Sequence, residues 1–144
     1  MLTYTSDPCV RPLTVMGPVT ADLHLRSSLE HTDVFVRLCD VSPKGRSTNL
    51  SDGIVRLRPG DVERRSDGSF RLGIAMWPTA NTFLPGHRVR LQVSGGAHPL
   101  FARNPGSGEP LATATTLRAA DHEVLHDPDH PSAVVLPVSP VAFA

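Results

Sequence analysis

Residues 122–126 read HEVLH. In these residue types and at this spacing, zinc metallopeptidases hold a metal with two imidazoles, and the intervening glutamate serves as general base. That chemistry needs a helix, because at 3.6 residues per turn positions i and i+4 stand about 6 Å apart on one face. Asp127-Pro128 and His130-Pro131 follow at once. A residue before proline avoids the helical region, so a helix has no room to run. As a strand, the segment would put His122 and His126 on one face but about 13 Å apart, with Glu123 on the other face. Zinc bonds of about 2 Å cannot span that gap. The expectation is two strand histidines and no metal site. His130 could join His126 around the turn only as an adventitious ligand. Asp127 and Asp129 of DPDHP (residues 127–131) could bind calcium, but an Asx-type turn accounts for them more simply.

Other reactive constellations are missing. The chain has no G-x-S-x-G elbow for a nucleophilic serine and no glycine-rich loop leading into a helix to cradle phosphate. Cys9 and Cys39 stand far apart, form neither a disulfide framework nor a zinc ribbon, and read as small buried hydrophobes. The sequon at Asn49 matters only in a secreted eukaryotic setting. Trp77 and Phe83 would form a sugar-stacking platform if exposed. Trp77 closes an alternating strand and residues 78–85 follow as a loop, so the reading from the residues is core or interface packing. No catalytic residue, metal ligand or cofactor site is assigned.

The elements that would carry these residues are strands. VTADLHLRS (residues 19–27) alternates strictly, with Val19, Ala21, Leu23 and Leu25 facing inward. DVFVRLCDV (33–41) is apolar on both faces, as a central covered strand would be. Turn chemistry follows at Pro43 and Gly45. Asp52-Gly53 reads as another turn, leading into the strand IVRLR (54–58). SFRLGIAMW (69–77) and HRVRLQVS (87–94) alternate again. Leu72, Ile74 and Met76 are expected to be buried with Val89, Leu91 and Val93, while Arg88 and Arg90 reach solvent or a partner. Residues 95–110 form a long irregular connection, and AVVLPV (133–138) is a closing strand that Pro137 places at an edge or end.

The chain has 144 residues, 14 of them proline and 11 glycine, with few strong helix formers in succession. These features predict one all-β domain, a sandwich or jelly roll, spanning residues 1–144. Formal net charge is zero with no basic stripe, which gives no support for nucleic acid or a membrane surface as partner. No stretch approaches the roughly 20 apolar residues of a spanning helix, and the N-terminus shows no signal-peptide pattern, so a cytoplasmic location is the default expectation.

Six stretches occur in order: TYTSDP (3–8), VMGPVTADLHLRSS (15–28), TDVFVRLCDVSPKGRSTNLSDGIVRLR (32–58), WPTANTFLPGHRVRLQVS (77–94), FARNP (101–105) and HDPDHPSAVVLPV (126–138). Together they resemble the C-terminal domain of the cocaine esterase and X-Pro dipeptidyl-peptidase family of serine hydrolases, over nearly the whole chain. The resemblance implies a galactose-binding-like β jelly roll that packs on an α/β-hydrolase catalytic domain, in the same or a companion chain, near its substrate pocket. It also implies a strand–turn–strand at residues 126–132. The family's Ser-Asp-His triad and helical cap lie outside the region of resemblance, so this chain is expected to hydrolyse nothing by itself. Residues 59–69 look short beside the family's connection, and SGGAHPLF (94–101) replaces a more polar stretch, so no substrate contact is carried over there. Candidate interdomain or pocket-facing residues are Trp77, Phe83, Leu84, Leu100 and Phe101. With its partner face vacant, the domain is expected to self-associate as a homo-oligomer at high concentration. A freestanding carbohydrate-binding jelly roll is the alternative, although the chain holds only five Phe, one Trp and one Tyr.

Overall fold

A computed structural model describes residues 1–140. It contains ten strands and, among the described residues, no helix. They are β1 (Leu2–Thr5), β2 (Leu13–Gly17), β3 (Thr20–Ser27), β4 (Thr32–Val41), β5 (Ser47–Leu57), β6 (Phe70–Ala75), β7 (Thr79–Phe83), β8 (Arg88–Ser94), β9 (His122–Leu125) and β10 (Ala133–Val135). One antiparallel sheet runs β1-β8-β4-β5. The second runs β10-β3-β6, with β9 also on β3, and β2 pairs β7 in a separate ribbon. The domain is an all-β sandwich.

Alternation along the strands sets the faces. Leu23 and Leu25 of β3 and Phe70, Leu72 and Ile74 of β6 meet Val34, Val36 and Leu38 of β4 and Leu91 and Val93 of β8 in one core. Val15 and Phe83 from the ribbon join the same cluster. The expected inward residues of β6 and β8 are buried, apart from Val89, which is half-buried beside the core. Strand β4 lies between β8 and β5 and is covered on both faces, as its continuous apolar run foretold. Its outer face carries cross-strand ion pairs, Asp33 opposite Arg56 and Arg37 opposite Asp52.

Three sequence expectations need correction. Asp52-Gly53 is not a turn, because both residues lie inside the eleven-residue strand β5. Glycine is needed there for close approach: a Cβ on Gly53 would stand 2.5 Å from the Ala75 carbonyl oxygen. Residues 79–83 are not loop but strand β7, whose polar TANTF sequence is ordered by pairing with β2. Phe83 therefore cannot face a pocket or a second domain, since it is 0% exposed in the core.

Candidate functional site

The HEVLH segment forms strand β9 and the turn after it. His122 Nε2 lies 2.7 Å from the hydroxyl of buried Thr32, while the His126 ring makes an edge contact with Tyr4 at 5.7 Å. Glu123 pairs instead with Arg26 at 2.9 Å. No group of three or more His, Cys, Asp or Glu among the described residues is gathered to hold a metal. The turn is an Asx turn: the backbone N–H groups of Asp129 and His130 donate to Asp127 Oδ1 at 2.9 and 3.1 Å. His130 sits between Asp127 and Asp67, with Nδ1 and Nε2 at 3.0 and 3.2 Å from their carboxylates, so both of its ring nitrogens are engaged there.

Beneath this turn the structure places a histidine that the alternation of β3 assigns to the outer face. His24 is buried against the His130 ring at 5.7 Å, and its Nδ1 has no hydrogen-bond partner. Its backbone N–H donates to Ser132 Oγ, which in turn donates to the Leu125 carbonyl. Ser132 thereby bridges the gap between β9 and β10 along the shared edge of β3. Burial pushes the His24 imidazole below its usual pKa, and the Arg65 guanidinium nearby pushes the same way. Burial also lowers His122. Below a pH of about 6.5 the unfolded chain binds protons at these positions that the folded chain refuses until lower pH, so stability falls as pH falls through that window. Replacing His24 with phenylalanine should flatten the dependence of the unfolding midpoint on pH below about 6.5. An unchanged slope would assign the effect elsewhere.

Cys9 and Cys39 are both free, and burial pushes the Cys39 thiol up, which works against its acting as a nucleophile.

Two of the exposed apolar side chains, Trp77 and Leu100, converge elsewhere. Trp77 follows β6 in phase with exposed Arg71, Gly73 and Ala75, and is itself 74% exposed. Its backbone is held to β5, with the N–H donating to the Asp52 carbonyl at 3.1 Å and its own carbonyl accepting from Ser51 Oγ. Leu100, 60% exposed, and half-buried Phe101 reach the same place from the long connection. Trp77, Leu100 and Phe101 line a cleft of about 330 Å³ over residues 49–52. An adjoining hollow of about 310 Å³ runs over Gly53 and Ile54 and shares Asp52, Trp77 and Phe101. Leu84 is exposed but lies outside both hollows, at the turn between β7 and β8.

The cleft wall is fastened. Phe101 packs on Phe35 with ring centroids 6.2 Å apart, and the Arg37 guanidinium lies 5.2 Å from the Phe35 ring. The Arg56 guanidinium donates to both oxygens of buried Asp33 at 2.8 and 2.7 Å and to the Ala102 carbonyl at 2.6 Å. Asn104 Nδ2 donates to Asp33 Oδ1 at 2.7 Å. The stretch FARNP thus ties an irregular segment to two strands. Sequence reasoning found its hydrophobic residues but not this clamp, for which the only signal was an aspartate beginning an apolar strand.

Fold and surface define an all-β sandwich with a rigid, exposed aromatic cleft on one edge. Residues 1–135 match the X-Pro dipeptidyl-peptidase C-terminal non-catalytic domain. Cocaine esterase of Rhodococcus sp. (strain MB1 Bresler) is 36% identical over 147 residues, which cover 96% of this chain and 25% of the esterase. The structure of an aminopeptidase from a marine sediment archaeon, Thaumarchaeota archaeon, superposes with a TM-score of 0.84 at 27% identity, covering 96% of this chain and 25% of that one. That of an α-amino acid ester hydrolase does so with a TM-score of 0.78 at 31% identity and the same coverage. The chain belongs to the family of X-Pro dipeptidyl-peptidase C-terminal non-catalytic domains found in cocaine esterase-like hydrolases. It spans about a quarter of the length of these relatives. Among the described residues, no helix is long and apolar enough to cross a membrane.

Proposed function

We propose that this domain is the non-catalytic module of a serine hydrolase, packing on an α/β-hydrolase catalytic domain and helping to shape its substrate pocket. The observation that carries the reading is the cleft of Trp77, Leu100 and Phe101: large apolar side chains held in water by backbone and ion-pair fastening rather than left on a loose loop. Exposed hydrophobics clustered on a rigid element mark an interaction surface, and tryptophan in particular is enriched where binding energy concentrates. Leu84 would extend the contact only if the partner reached the turn between β7 and β8. Without a partner, the same cleft would drive weak self-association, and the domain alone would turn over neither p-nitrophenyl esters nor Xaa-Pro anilides.

Trp77 is the only tryptophan, so 5-fluorotryptophan labelling gives a single ¹⁹F resonance at the cleft. Adding the unlabelled catalytic domain should shift and broaden that resonance, and Leu100→Ala should weaken the effect. A resonance unmoved by the catalytic domain would refute this docking face. The carbohydrate-binding reading has one observation in its favour, an exposed indole face beside Asp52 and Asn49. A saturable shift with mono- or oligosaccharides and none with the catalytic domain would select it.

A further inference from the structure

The two long edges of the sandwich differ. At the β5/β6 edge the sheets are joined: the Trp77 N–H donates to the Asp52 carbonyl, Ser51 Oγ donates to the Trp77 carbonyl, and Gly53 lets β5 close on Ala75. At the opposite edge, β1 ends one sheet while β9 and β10 lie along the outer side of β3 in the other, and no ladder joins β1 to them. Between them the sandwich opens into a cavity of about 450 Å³. Core residues Leu23 and Leu91 line it, together with Val89, Val124, Val134 and Leu136.

Its polar groups sort into two kinds. Thr5 Oγ1 accepts from Arg90, Ser6 Oγ is bound to the Asp7 carbonyl and the Val89 N–H, and Ser132 Oγ serves the β9–β10 gap. The Tyr4 hydroxyl and the His126 imidazole, whose rings touch, have no hydrogen bond to any described residue. No Lys, Arg, Asp or Glu lines the cavity. A concave apolar pocket of a few hundred Å³ with a small number of free polar groups is the usual form of a small-molecule site.

The geometry points to a ligand site here for a small uncharged molecule with an aromatic or aliphatic body and one hydrogen-bond acceptor, such as an ester or amide carbonyl. The body lies on Leu23, Leu91, Val134 and Leu136, and the acceptor receives a hydrogen bond from the Tyr4 hydroxyl. A phenol is protonated at neutral pH, so that hydroxyl is a donor there. A carboxylate fits less well, because no fixed cation stands in the cavity to offset its desolvation. This site is separate from the Trp77 cleft and does not depend on the docking reading.

The test is a ¹H–¹⁵N titration of the domain with ethyl benzoate, and in parallel with n-propylbenzene, which has a similar body and no acceptor. Saturable shifts centred on residues 4, 126 and 134 are expected with both. Tyr4→Phe should weaken ethyl benzoate about fivefold, the loss of one neutral hydrogen bond, and leave n-propylbenzene unchanged. Leu136→Trp, which fills the cavity, should abolish both without moving resonances of the β4–β5 ladder. No saturable shift up to the solubility limit would overturn the proposal, as would shifts centred on Trp77. So would perturbation of the same amides by protein concentration alone, which would give the groove to a second copy of the chain. An equal loss of both probes in Tyr4→Phe would overturn the role assigned to the hydroxyl.

Discussion

Replacing Gly53 with alanine is expected to cost about 3 kcal/mol of stability, a fall of roughly 10 °C in the unfolding midpoint for a domain of this size. The added methyl would sit 2.5 Å from the Ala75 carbonyl oxygen, 3.0 Å from Met76 Cγ and 3.1 Å from Ile74 Cγ2. The first of these is backbone and cannot rotate aside, so the β5 and β6 edges must part. They are the edges that the Trp77 backbone ties together, and the loss should therefore also loosen the aromatic cleft. Gly73 supplies the control: it lies on β6, its φ is outside the left-handed region, and a Cβ there meets nothing within 4 Å. Gly73→Ala should be close to neutral. Chemical denaturation of both variants decides the matter, and equal midpoints would show that the close approach at Gly53 carries no energy.

What could be read in the sequence followed from how local the cause was. The period of two in β3, β6 and β8 is set by each strand's own pleat, and the buried residues fell where it put them. The same period marks Trp77 as outward-facing, in step with Arg71, Gly73 and Ala75, and the core half of its core-or-interface reading overlooked that phase. Gly53 looked like a turn because Asp-Gly is turn chemistry, whereas its role depends on Ala75, which is distant in sequence. The polar TANTF looked like a loop because its strand character comes from pairing with β2. His24 was assigned to the outer face of β3 correctly, but what buries it is a turn more than a hundred residues later, through Ser132 and His130. Of the five candidate contact residues, Trp77, Leu100 and Phe101 meet in one cleft, Leu84 stands apart, and Phe83 belongs to the core.

The cleft depends on a non-local contact that can be removed with one substitution. Asp33 is 1% exposed and accepts from Arg56 and Asn104, while the same Arg56 holds the Ala102 carbonyl. A buried ion pair is weak evidence of net stability against an apolar replacement, because both charges must first leave water. Deleting one partner is different, since the other is left uncompensated. In Asp33→Ala, Arg56 can turn part of its guanidinium to water, being about a third exposed. Asn104 keeps only its carbonyl's bond to the Gly106 N–H. The expected cost is about 3 kcal/mol, at the low end for a broken buried pair. With the Asn104 anchor gone and Arg56 no longer held in place for the Ala102 carbonyl, the segment bearing Leu100 and Phe101 should open locally. Trypsin should then cut after Arg103 at denaturant concentrations where the parent chain resists. Asp22→Ala removes a carboxylate from the more exposed pair with Arg71 and should cost under about 1 kcal/mol with no new cleavage. If the two variants matched in stability and in digestion pattern, the Asp33 pair would contribute no more than a surface pair, and the wall of the cleft would be held by the packing of Phe101 on Phe35 and the Arg56 bond to the Ala102 carbonyl.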